Sequence, residues 1–243
     1  MKKLRNKQNL YFVLTILTFI LIIVGSILSF SFDLSFDSSL MIMSAVLFIG
    51  LILIIYFKSK LDFYNDNYKY QKLISHRILP FKTKTNVFSD DWYKKIKSEG
   101  FNSFRSYEKF EVYYKFDFVS YKSKKQKAAV FLILIKDNDL SFDSQKIVTT
   151  IHEFEDAFRK KEKFLHHIVL QYKVTEDSLS SSDLNETLGI NFMTQGKRNH
   201  LVVINCYYSR KDSEFIFLYS PNFSPNHYYT YASNIILSLI KYK

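Results

Sequence analysis

A pair of N-terminal transmembrane helices followed by one cytoplasmic mixed α/β domain is the architecture this sequence predicts, on three observations. Leu10–Phe32 and Ser38–Phe57 contain no charged residue. Lys and Arg flank the two runs, while only Asp33 and Asp37 lie between them. The remaining residues, 58–243, alternate strand-like and helix-like apolar patterns without a low-complexity linker or an internal repeat.

A helix needs about 20 apolar residues to cross a hydrocarbon core of about 30 Å. Residues 10–30 and 40–57 supply this, and in lipid a helix satisfies its own backbone hydrogen bonds. The first run is longer than a signal-peptide core, and "GSILSFSFDLS" offers no A-x-A-like cleavage site, so the span is expected to remain. The tail 1–9 carries Lys2, Lys3, Arg5 and Lys7, the loop 31–39 is acidic, and Lys58 and Lys60 open the segment after the second span. By the positive-inside rule this is a multi-pass cell-membrane protein with both termini cytoplasmic. Neither span holds an ionisable residue, which argues against coupled transport. Gly25 and Ser29 have small-xxx-small spacing, read as a chance occurrence in a span containing Gly and Ser.

Lys58–Leu79 continues a helical spacing through Leu61, Tyr64 and Tyr68, and Pro80 predicts its end. This juxtamembrane helix, residues 58–80, is a candidate for contact with lipid headgroups through Lys58, Lys60, Tyr64, Tyr68, Lys69 and Lys72. The equal alternative is a solvated connector between the spans and a domain over residues 81–243.

Within that domain "SDDWYKKIKSEG" places acids early, lysines late and Gly100 beyond the end, the order a capped helix requires. "EKFEVYYKFDFVSY" alternates, with Phe110, Val112, Tyr114, Phe116 and Phe118 on one face and Glu111, Lys115 and Asp117 on the other. It reads as a half-buried strand. After the basic turn "KSKKQK", "AAVFLILIK" is continuously apolar and reads as a central strand covered on both faces. Ile147, Val148, Ile151, Phe154 and Phe158 form a helical stripe capped by Asp143 or Ser144. "FLHHIVLQYKV" is the next strand, and strand–helix–strand predicts a parallel crossover. The polar stretch Thr175–Gly196 holds one short helix. "HLVVINCYY" and "EFIFLYS" form a hairpin, and a last helix capped by Asn226 buries Tyr231, Ile235 and Leu239.

The net charge of +11 leaves +9 on residues 58–243, yet only 6 of the 34 basic residues are Arg, the better phosphate reader. The charge is therefore poor evidence for nucleic acid. Cys206, the only cysteine, excludes an intrachain disulfide and sits in a strand-like run as a small hydrophobe. No Walker loop, GxGxxG, HExxH, GxSxG or paired CxxC occurs, so neither a cofactor nor a metal is expected. His152 and Asp156 stand four apart on a helix but lack a third ligand, and His166 and His167 point to opposite faces of a strand. One catalytic alternative is a membrane-tethered nuclease of the restriction-enzyme type, built on Asp137, Gln171 and Lys173 from adjacent strands around Mg²⁺. A helix interrupts those strands and no second carboxylate is legible. The expected function is a membrane-anchored interaction domain of binding, scaffold or sensor type with no catalytic signature, and another hydrolase with an atypical site stands beside the nuclease as an alternative. Its partners are the lipid bilayer and another protein or a second copy. A nucleic-acid-binding domain held at the membrane is the remaining alternative, and the disfavoured one.

Overall fold

The computed structural model describes residues 1–32, 35–78, 80–121, 124–158, 160–164, 166–192, 194–195 and 199–240. Asp33, Leu79, the first two residues of the basic turn (Lys122 and Ser123) and Gly196 fall outside them. The chain divides into two compact units, Met1–Lys72 and Leu73–Lys243.

The first unit is a helical hairpin of α1 (Lys2–Leu28) and most of α2 (Phe36–Ser75). Both helices are long and apolar enough to cross a membrane, and their Phe, Leu and Ile side chains are largely exposed. Such an outward apolar surface is consistent with a lipid bilayer around the two helices. Thr15, Thr18 and Ser44 turn their hydroxyls back on the carbonyls of Tyr11, Leu14 and Leu40 at 2.7–2.8 Å, leaving no polar hydrogen to desolvate. The hairpin closes on two glycines. A Cβ on Gly25 would come within 3.0 Å of Val46 Cγ1, and one on Gly50 would collide with the Ile22 side chain. Gly25 thus admits the facing helix.

Two boundaries differ from the expected ones. The basic tail is the first turns of α1, because Lys7 reaches Tyr64 (3.4 Å to its hydroxyl), Gln8 donates to Asn65 (3.1 Å), and Tyr11 stacks on Tyr64 at 5.4 Å. The second span and the juxtamembrane helix are one rod, as the unbroken helical spacing predicts, since nothing from Phe57 to Lys60 breaks a helix. It stops at Ser75, before Pro80.

The second unit is a mixed sheet between helices. Its elements are β1 (Phe81–Lys82), α3 (Asp90–Ser98), β2 (Asn102–Ser106), β3 (Phe110–Tyr121), β4 (Lys124–Ile135), α4 (Gln145–Phe158) and β5 (His166–Thr175). They continue with α5 (Ser181–Glu186), β6 (Thr194–Gln195), β7 (Asn199–Ser209), β8 (Glu214–Phe217) and α6 (His227–Ile240). Seven strands run in the order β1-β8-β7-β5-β4-β3-β2, and β6 pairs β7 off that path. β4, β5 and β7 are mutually parallel, so the strand–helix–strand crossover forms as expected, and every other pair is antiparallel.

The expected caps form. Ser89 accepts from Trp92 N, Gly100 takes φ +85°, and Asn226 Oδ1 accepts from Tyr229 N at 2.8 Å. Ser144 takes the cap position of α4, with Val148 N bonded to its carbonyl at 3.2 Å. β4 is covered on both sides, with every residue from Ala128 to Ile135 at most 1% exposed. Its Ala129, Phe131, Ile133 and Ile135 join Phe110, Val112, Ile147 and Phe154 beneath α4. The opposite face packs on α3 and α6, where Trp92 meets Tyr172 and Tyr228 binds His166 Nε2 at 3.1 Å.

That second layer corrects the reading of β3 as half-buried. Tyr113 and Val119 are buried, and Tyr231 of α6 hydrogen-bonds Asp117, whereas Phe118 is exposed. In α6 the buried residues include Ile235 and Leu239 as expected, with Tyr228 and Tyr229 more deeply placed than Tyr231. Three strands went unpredicted: β1 and β6 have two residues each, and β2 is a polar edge strand with a bulge between Ser103 and Arg105.

Candidate functional site

Parallel strands align their carboxyl ends, and ligands of open α/β sheets bind beside those ends. A cavity of about 560 Å³ lies between α4 and the β5–β7 half of this sheet. Side chains alternate along each strand, so β5 presents His167, Val169 and Gln171 to it, and β7 presents Leu201, Val203 and Asn205. The parallel register sets these side by side, as His167–Leu201, Val169–Val203 and Gln171–Asn205. Ile147, Val148, Ile151, His152 and Glu155 of α4 form the facing wall, with Phe142, Asp143 and Gly189 from loops.

Two polar groups bound the apolar middle. At the β5 start, Glu155 carboxylate oxygens lie 3.0 Å from His167 Nε2 and 3.5 Å from His152 Nδ1. The His167 contact lies off the direction of a hydrogen bond, so Nε2 is buried without one. Burial pushes the His167 pKa down, against the opposing pull of Glu155, and His152 lowers it further. His167 therefore stands as the neutral imidazole near pH 7. At the other end, Asn205 Nδ2 donates to the carbonyls of Glu186 (3.1 Å) and Gly189 (2.8 Å). Those bonds orient the amide, and its Oδ1 is buried without a partner among the described residues. Gln171 Oε1 beside it is in the same state, and both residues are 5% exposed. Each unpaired buried acceptor costs about 1–3 kcal/mol.

One step farther along the same face, Lys173 is 1% exposed. Its Nζ lies 3.1 Å from Glu186 Oε2 and 3.4 Å from the Asn138 carbonyl, with the Phe142 ring centroid at 4.5 Å. Tyr207 OH donates to the same Glu186 oxygen at 3.0 Å, and burial followed by that carboxylate raises the Tyr207 pKa. This cluster bears directly on the nuclease trio. Gln171 and Lys173 share a face as the alternation required. Asp137 pairs with Lys109 at 2.6 Å, and that bond, the Asp139 backbone N–H and the charges of Lys109 and Lys173 lower its pKa. Lys173 lies under the Phe142 and Tyr207 rings and pairs with Glu186.

Among the described residues no group of three or more His, Cys, Asp or Glu is placed to hold a metal ion. His152 faces Glu155, and Asp156 is exposed. His166 and His167 do point apart, toward Tyr228 and toward Glu155. Cys206 is fully buried and its thiol pKa is pushed well up by that burial, which removes the nucleophilic thiolate. Sequence reasoning missed Asn205, Glu186, Tyr207 and Glu155. The available signals were the i,i+3 spacing of His152 and Glu155 and the matching alternations of "LQYK" and "INCY". Compared with known proteins, the chain matches no family model, no curated protein and no solved structure.

Proposed function

We propose that this is a membrane-anchored binding domain of sensor type, which holds a small molecule in the α4–β5–β7 cavity on the cytoplasmic side of the bilayer. The cavity carries the reading. Its volume lies in the range of ligand pockets, its walls are mostly apolar, and a few polar groups converge at its ends. Among its described residues the site offers binding groups and no activated nucleophile, which favours recognition over turnover. A screen of small aromatic fragments against the full chain in detergent, read by ligand-observed NMR, is expected to give binders that Val203→Trp displaces by filling the cavity. If no binder responds to Val203→Trp, the cavity is not a ligand site.

The cytoplasmic placement rests on the basic flanks of the two spans. Cysteines introduced at Ser35 and Ser181, both exposed, report it, because buried Cys206 contributes little background. On intact cells a membrane-impermeant thiol reagent is expected to label position 35 and spare position 181. The reverse pattern overturns the orientation.

The headgroup contacts narrow along the α2 rod. Lys58 and Lys60 stay at the interface. Tyr64 is engaged by Lys7 and Tyr11, and Lys69 pairs with Asp66 at 3.8 Å. For a helix near the bilayer normal, Tyr68, Lys69 and Lys72 stand roughly 15–21 Å beyond Lys58, at 1.5 Å per residue. That exceeds a Debye length of about 8 Å at physiological salt. Contact with another protein or a second copy falls to these distal residues.

A further inference from the structure

We infer that the cavity takes an uncharged ring compound ending in an –NH₂ group, such as a primary carboxamide or an exocyclic amine on a heterocycle. This rests on the binding-domain reading above and adds the ligand's chemical class. Three observations carry it.

The first is the pair of amide oxygens. Gln171 and Asn205 line the cavity, are registered on adjacent parallel strands, and keep Oε1 and Oδ1 buried without a partner among the described residues. The two bonds from Asn205 Nδ2 to backbone carbonyls consume both of its donors, so that side chain has only acceptor capacity left. Adjacent strands are about 4.8 Å apart, a separation that one –NH₂ bridges with its two diverging hydrogens. The Gln171 amide can also turn to meet a ligand acceptor next to that –NH₂, as glutamine does with the edge of adenine.

The second is charge. Among the described residues lining the cavity, the only side chains of fixed charge are the acids Asp143 and Glu155. Among the described lining residues there is no lysine or arginine to meet a phosphate or carboxylate, and the nearest described cation along β5, Lys173, is bonded to Glu186. Anions are repelled at the mouth. A cationic amine fares no better at the amide end, because the Lys173 ammonium lies one alternation farther along the same strand face. The third is the wall. Ile147, Val148, Ile151, Val169, Leu201 and Val203 present aliphatic surface, which suits a flat uncharged ring.

Four related probes separate these features. Benzamide carries the –NH₂, N,N-dimethylbenzamide removes both donors, and benzoate replaces the amide by an anion. Adenosine extends the same donor to nucleoside size. Titrated into the full chain in detergent, benzamide and adenosine are expected to bind about tenfold more tightly than N,N-dimethylbenzamide or benzoate, the worth of one to two hydrogen bonds. Gln171→Leu is the test variant because it removes one acceptor at similar volume and breaks no hydrogen bond assigned to Gln171. It is expected to bring benzamide to within about threefold of its dimethyl analogue with the melting temperature unchanged or raised. A purely structural Gln171 would instead lower the melting temperature and leave the ratio alone. Equal binding of benzamide and N,N-dimethylbenzamide, displaced in both cases by Val203→Trp, overturns the ligand class and leaves the cavity as a binding site. Benzoate binding as tightly as benzamide overturns the charge argument. No binding by any of the four probes overturns the class, and the binding-domain reading falls with it only if the fragment screen is also empty.

Discussion

Phe154→Ala is expected to destabilise the α/β unit by about 4 kcal/mol, the range for emptying a buried Phe site. Phe154 is fully buried on α4 and meets Phe104, Tyr114, Phe131 and Phe158 at ring-centroid distances of 4.4–5.1 Å. Those rings come from β2, β3, β4 and α4 itself, so the hole cannot be closed by moving one element. Aromatic pairs add about 0.5–1.5 kcal/mol beyond area, and several are lost together. Since domains of this size are stable by about 5–15 kcal/mol, the variant should sit near the edge of folding at room temperature. Urea titration of the full chain in detergent, followed through the single and buried Trp92, measures it. A loss under about 1.5 kcal/mol would mean that α4 is not clamped by this aromatic cluster.

The second large effect is expected from Glu186→Ala, at about 2–3 kcal/mol. Removing one partner of a buried ion pair commonly costs about 3–5 kcal/mol, because the other charge is left buried and unpaired. Lys173 is that other charge, at 1% side-chain exposure, but Glu186 is 42% exposed, so water relieves part of the loss. The carboxylate also holds Tyr207, which adds a second orphaned group. Lys173→Met should behave differently. It replaces a buried ammonium under two aromatic rings by an apolar chain of similar length and leaves Glu186 near solvent with Tyr207 as partner. Its change should lie within about 1 kcal/mol of zero. The same urea experiment compares the two, and equal losses would contradict the asymmetry of burial.

Whatever composition and short-range periodicity control was legible in the sequence. The spans are apolar throughout, so their helices followed from length alone. α3 carried its whole signature in "SDDWYKKIKSEG", and the run of eight apolar residues in β4 could only be covered on both faces. What depended on pairing was hidden. β2, "NSFRS", is a strand only because β3 offers it an edge, and Asp117 looks like a solvent-facing residue until α6 brings Tyr231 to it. The site followed the same rule. Gln171 and Lys173 were placed on one face by the two-residue period, which is local. Asn205 and Glu186 could not be joined to them without the β5–β7 register, which links residues 34 apart in sequence. Helix ends were the other failure. Pro80 marks where α2 cannot continue, not where it stops.

The two ends of the α/β unit are tied to each other, with consequences for its synthesis. Phe81 and Lys82 pair with Phe215 and Glu214, Ile78 N donates to the Tyr219 carbonyl, and the Thr83 and Thr85 hydroxyls both donate to the carbonyl of Ile240. The first strand therefore has nothing to hold it until nearly the whole chain has been translated. At about 5–20 residues per second, the interval between residues 82 and 240 lasts roughly 8–30 s. Throughout that time Phe81 and Lys82 lack the β8 edge that pairs them. Loss of even a few residues beyond Leu239 would release the threonine ties at the opposite end of the sequence. A nascent chain stalled late in synthesis should thus be recognised by proteases at residues 76–86, far from the break in sequence.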